Sequence, residues 1–359
     1  MRTEPRYLQL RAALLERIKS GSYQVGTRIP TEPEIADEFS VSRMTANRAI
    51  LSLVSDGWLH RKKKSGTFVV DVQSDPLVRL ARPVVAIREP ERTLEDDYFQ
   101  GLYWALNAGI TAHGGSLLTV PLPETDRVAH LQSFDADPLI LFGPQRAFHD
   151  DLLEIARNGT RVLLLGTTLQ GFGMVAIDSD NLLGPALAIS HLAELGHRDI
   201  AFFGAYPDDA NTVDRLRGYN AAMGARGLLR KQERVVISPE GLLERDRSAL
   251  EAALRMLSAP DRPSAVFAAG SHLALETVSL ARSLNLRVPE DISIVGYDDP
   301  PFVSRAIPPL TTVRQPLAEM ATFAADLIYS FGATAPRTYN LFDPVLILRG
   351  TTASAPPIQ

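Results

Sequence analysis

From Val84 to Val295, strand-like apolar runs and helical stretches follow one another in strict alternation, and no other feature of this 359-residue chain restricts its fold as much. The strand-like runs fall at 84–87, 117–120, 139–142, 162–165, 200–203, 234–237, 265–267 and 292–295; helical periodicity marks 98–112, 181–195, 212–225, 242–257 and 273–284. Strands separated by helices cannot be joined as hairpins, so the alternation predicts βαβ units and mostly parallel sheets. A stretch of about 270 residues favours two such sheets over one. In open sheets of this kind ligands bind beyond the carboxyl ends of the strands. Those positions hold Arg88, Gly143, Gly204, Ala205, Tyr206, Gly270, Ser271, His272, Tyr297, Asp298 and Asp299. Singly, each glycine turns the chain and each aspartate caps the next helix. As a set they offer aromatic faces, an arginine fork and carboxylates, which suit the ring face and hydroxyls of a polyol.

The charge is divided as sharply as the pattern. The formal net charge is −5, yet residues 1–70 hold 12 Lys+Arg against 7 Asp+Glu, leaving 25 against 35 for the rest. A small basic module is thus joined to a large acidic one, and one end alone is suited to a polyanionic partner.

Within the basic module, Tyr7, Leu10, Leu14 and Ile18 recur at helical spacing and stop at Gly21. Thr31 and Glu34 have capping-box spacing, with Pro33 in the first turn of the helix they open. Ser42 caps a third helix whose Ala46, Ala49, Ile50 and Leu53 form one apolar stripe, leaving Arg43, Thr45, Asn47, Arg48 and Ser52 outward and Gly57 as its end. Met44 has the alternative of filling a gap between helices. Residues 58–69 then read as a hairpin with the cationic tip Arg61, Lys62, Lys63, Lys64. A solvated loop is the plain reading of that run; beside a helix pair with an outward polar set, it becomes the wing of a winged helix-turn-helix.

The segments GTRIPTEPEIA (26–36), VSRMTANRA (41–49) and GTFV (66–69) closely resemble the GntR family of winged helix-turn-helix regulators. The resemblance implies that Arg43, Thr45 and Asn47 read bases or anchor phosphates and that the wing tip is formed by Lys63, Lys64 and Gly66; Thr31 and Arg48 complete the expected DNA-facing set. Two departures stand out: Pro33 where many relatives carry Arg, and Lys64 in place of a wing glycine.

The acidic module also resembles a known group. Asp180-Asn181, HLAELGHRDIA (191–201), RLRGY (215–219), VPEDISIVGYDD (288–299) and PPLTTVRQP (308–316) look like the effector domain of the LacI/GalR repressors. By that resemblance the fold is two-lobed and periplasmic-binding-protein-like, and Arg215 and Asp298 grip a sugar or related small molecule. Gly196 and His197 are read as structural. Where the family usually has Asn-Asp, this chain has Gly270-Ser271-His272, so Ser271 or His272 is expected to take over a ligand contact. Arg88, Tyr98, Arg215, Ser271, His272 and Asp298 are the candidate effector contacts.

The expected fold class is therefore α/β: an N-terminal winged helix-turn-helix over 1–72, a linker over 73–82 and an effector-binding and dimerising domain of two lobes with parallel sheets over 83–350. The fusion resembles the architecture of the arabinose repressors. It implies a homodimeric DNA-binding repressor of carbohydrate-utilisation genes, bound to an inverted-repeat operator of double-stranded DNA and released by a sugar or sugar-derived effector. Alternatives are a large module that mainly dimerises, and a cytoplasmic sugar-binding protein without regulation. No enzyme, metal site or cofactor is expected: the chain has no Cys, no nucleophile elbow and no metal-spaced His cluster, and none of its five lysines follows a Walker-type loop. The charged first 20 residues lack the apolar core of a secretory signal, and no run is long enough for a membrane span, which reads as cytoplasmic.

Overall fold

The computed structural model describes residues 6–55, 58–62, 65–70, 84–88, 97–121, 126–133, 138–143, 148–158, 160–167, 174–228, 232–330 and 339–356. At the N-terminus, helices α1 (Arg6–Lys19), α2 (Glu32–Glu38) and α3 (Arg43–Ser55) precede the antiparallel pair β1 (Leu59–Lys62) and β2 (Gly66–Val69). Leu10 and Leu14 of α1, Ile35 of α2 and Ala46, Ile50 and Leu53 of α3 are buried together, with Leu59 and Val69 closing the core from the hairpin. Gly21 adopts φ +77° after α1, where a side chain would be strained. Met44 is 82% exposed and fills no gap.

Among the described residues, the remaining chain builds two six-stranded sheets. One has the order β13-β7-β6-β5-β3-β4, from β3 (Val84–Arg88), β4 (Leu117–Pro121), β5 (Leu139–Phe142), β6 (Val162–Leu165), β7 (Met174–Ser179) and β13 (Tyr339–Phe342). The other has the order β14-β12-β11-β10-β8-β9, from β8 (Ile200–Ala205), β9 (Val235–Ser238), β10 (Ala265–Ala268), β11 (Ser293–Tyr297), β12 (Thr311–Arg314) and β14 (Val345–Ile347). Neighbours from β4 through β7 and from β9 through β12 pair in parallel; β14 runs antiparallel to β12.

The helices of this part are α4 (Asp97–Ala112), α5 (Arg127–Ser133), α6 (His149–Arg157), α7 (Leu183–Glu194), α8 (Ala210–Ala225), α9 (Arg247–Ser258), α10 (Ser271–Ser283), α11 (Pro301–Arg305) and α12 (Leu317–Ser330). Apolar side chains pack on both faces of the second sheet, Ala201, Phe203, Val266 and Ile294 on one and Phe202, Phe267, Val295 and Tyr297 on the other, as helix-covered parallel strands require.

The strand at 234–237 begins one residue later than expected, because Arg234 leaves the sheet to pair with Asp199 and Asp261. The helix expected over 242–257 is broken: a 3₁₀ turn at Leu243–Arg245 comes first, and Asp246 then caps α9 by accepting from the amides of Ser248 and Ala249. The chain divides into two compact units. Unit 1 takes Met1–Thr93, Tyr103–Ile177 and Ala321–Asn340; unit 2 takes Leu94–Leu102, Asp178–Met320 and Leu341–Gln359. The linker expected over 73–82 lies outside the described residues.

Candidate functional site

On the N-terminal module, Thr31 is tied to Glu34 across the first turn of α2: its amide donates to Glu34 Oε2 at 2.6 Å and its hydroxyl to the same oxygen at 2.8 Å. Those bonds hold the Glu34 carboxyl below its ordinary pKa. Ser42 accepts from the Thr45 amide at 3.1 Å, with the two hydroxyls 2.8 Å apart, so Thr45 is tied to the start of α3. Arg43 is exposed. Asn47 departs from the outward set: it is half-buried and its Oδ1 is turned in, with no hydrogen-bond partner among the described residues. Arg48 is held 3.9 Å over the ring of Tyr7. The wing-base cations divide similarly, Arg61 bonding Glu32 and Lys62 lying 5.6 Å over Phe68. Gly66 opens β2 at φ +115°, and Lys63 and Lys64 lie outside the described residues.

The second constellation lies in unit 2, at the carboxyl ends of its strands. β8 has β9 on one side and β10 on the other, so the strand order reverses there and opens the crevice where open α/β sheets bind ligands. Arg215 reaches it from α8 and is 8% exposed. Its Nε donates to Asn181 Oδ1 at 2.8 Å, its Nη1 donates to the Ala269 carbonyl at 2.9 Å, and its guanidinium carbon sits 3.8 Å over the Tyr297 ring. The Tyr297 hydroxyl donates to the same Asn181 oxygen at 3.3 Å. A Cβ on Gly184 would stand 2.6 Å from the Tyr297 ring, so glycine lets α7 seat against it.

Burial acts against the charge of Arg215, but Tyr297, Asp298, Asp209 and Tyr98 around it raise its pKa above the ordinary value. Tyr98, in the first turn of α4, is half-buried with its hydroxyl turned in; burial pushes its phenol well up, with Asp178 and Asp298 adding to the effect. Asp298 has φ +71°, rare for a side-chain-bearing residue and a mark of a position fixed by its surroundings. Its amide donates to the Val313 carbonyl at 2.8 Å, its carbonyl accepts from Thr312 Oγ1 at 2.7 Å and its carboxylate accepts from Gln315 Nε2. Asp299 turns away, paired with Arg314 and Arg349.

Ser271 is buried as the first residue of α10. His272 Nε2 lies 3.2 Å from Asp97 Oδ2, and its ring packs 4.9 Å from that of Phe302. A Cβ on Gly270 would meet nothing within 4 Å, so open space exists where a larger residue would project. Tyr98, Arg215 and Asp298 are thus brought within electrostatic reach of one another, and Ser271 and His272 follow the strand whose end accepts from Arg215. Arg88 ends β3 in unit 1.

Three further residues were not among the expected effector contacts. Asp178, next to last in β7, is completely buried; it accepts from the Ser179 amide at 2.8 Å and from Asn181 Nδ2 at 3.1 Å, and burial pushes its pKa up to about 8. Asn181 bridges Asp178 to Arg215, and Gln315 follows β12. Recognising 174–179 and 311–314 as strands would have placed Asp178 and Gln315 at carboxyl ends. Among the described residues no cluster of His, Asp or Glu could hold a metal, and no helix is long and apolar enough to cross a membrane.

Residues 6–69 match the family described as bacterial regulatory proteins, gntR family, and residues 189–352 match the periplasmic binding protein-like domain. The arabinose metabolism transcriptional repressor of Geobacillus stearothermophilus is 29% identical, the alignment covering 98% of each chain. A LacI transcriptional regulator from a Rhodococcus species is 28% identical with a TM-score of 0.64, over 76% of this chain and 99% of that one. The structure titled transcriptional regulator CelR-cellobiose complex shares the fold at a TM-score of 0.65 and 24% identity, covering 90% of this chain and 100% of that one.

Proposed function

From a chain that joins a gntR-family winged helix-turn-helix to a periplasmic binding protein-like domain, we propose a DNA-binding transcriptional repressor of carbohydrate use that leaves its operator when a sugar or sugar-derived effector occupies the Arg215 site. The observation that carries the reading is the clamp on Arg215. Two of its nitrogens are already committed to Asn181 and Ala269, so the guanidinium is held in one orientation at a strand-end crevice before any ligand arrives. Such preorganisation lowers the cost of binding. Tyr98 and Asp298 near it supply an aromatic side chain and an acceptor, suited to the face and hydroxyls of a sugar ring, while buried Tyr297 backs the guanidinium.

Coupling to DNA needs only differential affinity. A ligand that prefers one arrangement of the two units shifts the population by that preference, and in a homodimer the readers then lose the half-site spacing of an inverted repeat. Contact with DNA is confined to the basic module, since residues beyond 70 carry 25 basic against 35 acidic side chains. Ligand-induced shifts in melting temperature across neutral sugars, sugar acids and sugar phosphates test the sensor. The reading requires at least one to stabilise the parent and to fail with Arg215→Ala; a panel that leaves the parent unmoved argues for a large module that only dimerises.

A further inference from the structure

We propose that Arg28 is a further DNA-contacting residue, a phosphate anchor held against the wing by the turn at Gly66. The inference rests on reading the wing as DNA-facing and adds a residue from outside both the helix pair and the hairpin. Residues 26–29 run antiparallel beside β2 through a single bridge between Arg28 and Phe68: the Gly26 amide donates to Val69 O at 2.8 Å, the Ile29 amide to Thr67 O at 2.9 Å and the Val69 amide to Thr27 O at 2.9 Å. Side chains alternate across a strand, so Ile29, buried in the module's core, leaves Arg28 on the opposite, exposed face.

The Arg28 side chain covers the backbone at the wing's turn. A Cβ on Gly66 would lie 2.5 Å from Arg28 Nε and 2.9 Å from its Cδ, so the absence of a side chain at 66 is what admits the arginine. Most cations nearby are already engaged. Arg17 pairs with Glu38, Arg48 lies over Tyr7, Arg61 pairs with Glu32 and Lys62 lies over Phe68. Arg28 makes no hydrogen bond or ion pair among the described residues, although Glu34 feels its charge. A guanidinium lying along Gly66, with its donors unspent and with Lys63 and Lys64 between β1 and β2 in the sequence, is placed to fork onto a phosphate. It also offsets the carboxylate of Glu34 at the start of α2, which would otherwise repel the backbone.

The test compares full-length parent, Arg28→Ala, Arg28→Lys and Lys63→Ala/Lys64→Ala on a mixed-sequence DNA duplex, by fluorescence anisotropy over a KCl series, with melting temperature measured in parallel. A phosphate anchor predicts that Arg28→Ala binds about tenfold more weakly at low salt, with the slope of log affinity against log salt reduced by about one. Its melting temperature stays at the parent's, and Arg28→Lys keeps the slope. Parental affinity and slope in Arg28→Ala, or an affinity loss with unchanged slope and a lowered melting temperature, overturns the proposal. If Lys63→Ala/Lys64→Ala reduces the slope while Arg28→Ala does not, Arg28 alone is excluded; a parent with no salt-dependent binding overturns the DNA-reading surface as a whole.

Discussion

Arg215 and Tyr297 are locked together: the guanidinium carbon stands 3.8 Å over the ring, and Arg215 Nε and the Tyr297 hydroxyl donate to the same oxygen of Asn181. Asn181 follows β7, Arg215 rises from α8 and Tyr297 ends β11, so one interaction ties together three separate segments of unit 2. A cation on an aromatic face contributes more when both are desolvated, as here.

Replacing Arg215 by Ala therefore has two consequences. Asn181 Oδ1 loses its arginine donor and the Ala269 carbonyl is left buried and unpaired, costing about 1–3 kcal/mol. Thermal unfolding will shift down accordingly, and any sugar that stabilises the parent will cease to do so. Arg215→Lys retains the charge but loses the planar fork, so isothermal titration should find ligand binding weakened as well.

Asp178 makes stability depend on pH. Its pKa rises by burial from 3.8 to about 8, so the folded state holds a proton that the unfolded state releases between those values. Its contribution is fully present below the unfolded value and is lost as pH rises toward about 8. Chemical denaturation across that window should show the parent losing stability with rising pH and Asp178→Asn losing less; parallel curves would contradict a raised pKa.

The reader should separate two kinds of variant. Lys63→Ala and Lys64→Ala weaken binding to every duplex and flatten its salt dependence. Arg43→Ala or Asn47→Ala costs about 1–3 kcal/mol at particular base positions and much less elsewhere. Equal losses on operator and random DNA would show that Arg43 and Asn47 do not read bases. Arg48→Ala removes the contact with Tyr7 and lowers the melting temperature of the module.

The space beside Gly270 gives a test of effector size. Gly270→Asn projects a side chain where nothing lies within 4 Å, so it should fold like the parent yet change the rank order of ligands in a thermal-shift panel. His272→Ala and Ser271→Ala should each lower ligand affinity. If both bind like the parent, neither residue touches the effector.

Much of this was legible in the chain. Alternation alone predicted parallel sheets, the capping-box spacing of Thr31 and Glu34 located α2, and His197 was read as a loop anchor. It is buried between Ser264, Ser293 and the Ala353 carbonyl. The strands the pattern missed were Met174–Ser179, which follows β6 with no helix between them among the described residues, and the late, short Thr311–Arg314, Tyr339–Phe342 and Val345–Ile347. Without the first of these, Asp178 had no strand end to occupy. Helical spacing gives the direction of a Cβ and not the fate of a carboxamide, so the inward turn of the Asn47 oxygen was not legible. Arg61 was grouped with the cations of the wing tip, but its partner Glu32 is 29 residues away and no local pattern pairs them.

The central claim, that effector binding in unit 2 releases DNA held by the basic module, is tested most directly by one titration. Labelled duplex selected by the protein from random sequence is bound to saturation, and anisotropy is followed as the stabilising sugar is added to parent and to Arg215→Ala. The account predicts that the parent releases the duplex at sugar concentrations that raise its melting temperature, while Arg215→Ala binds the duplex and holds it throughout. A sugar-saturated parent that keeps the affinity of the free protein would contradict it.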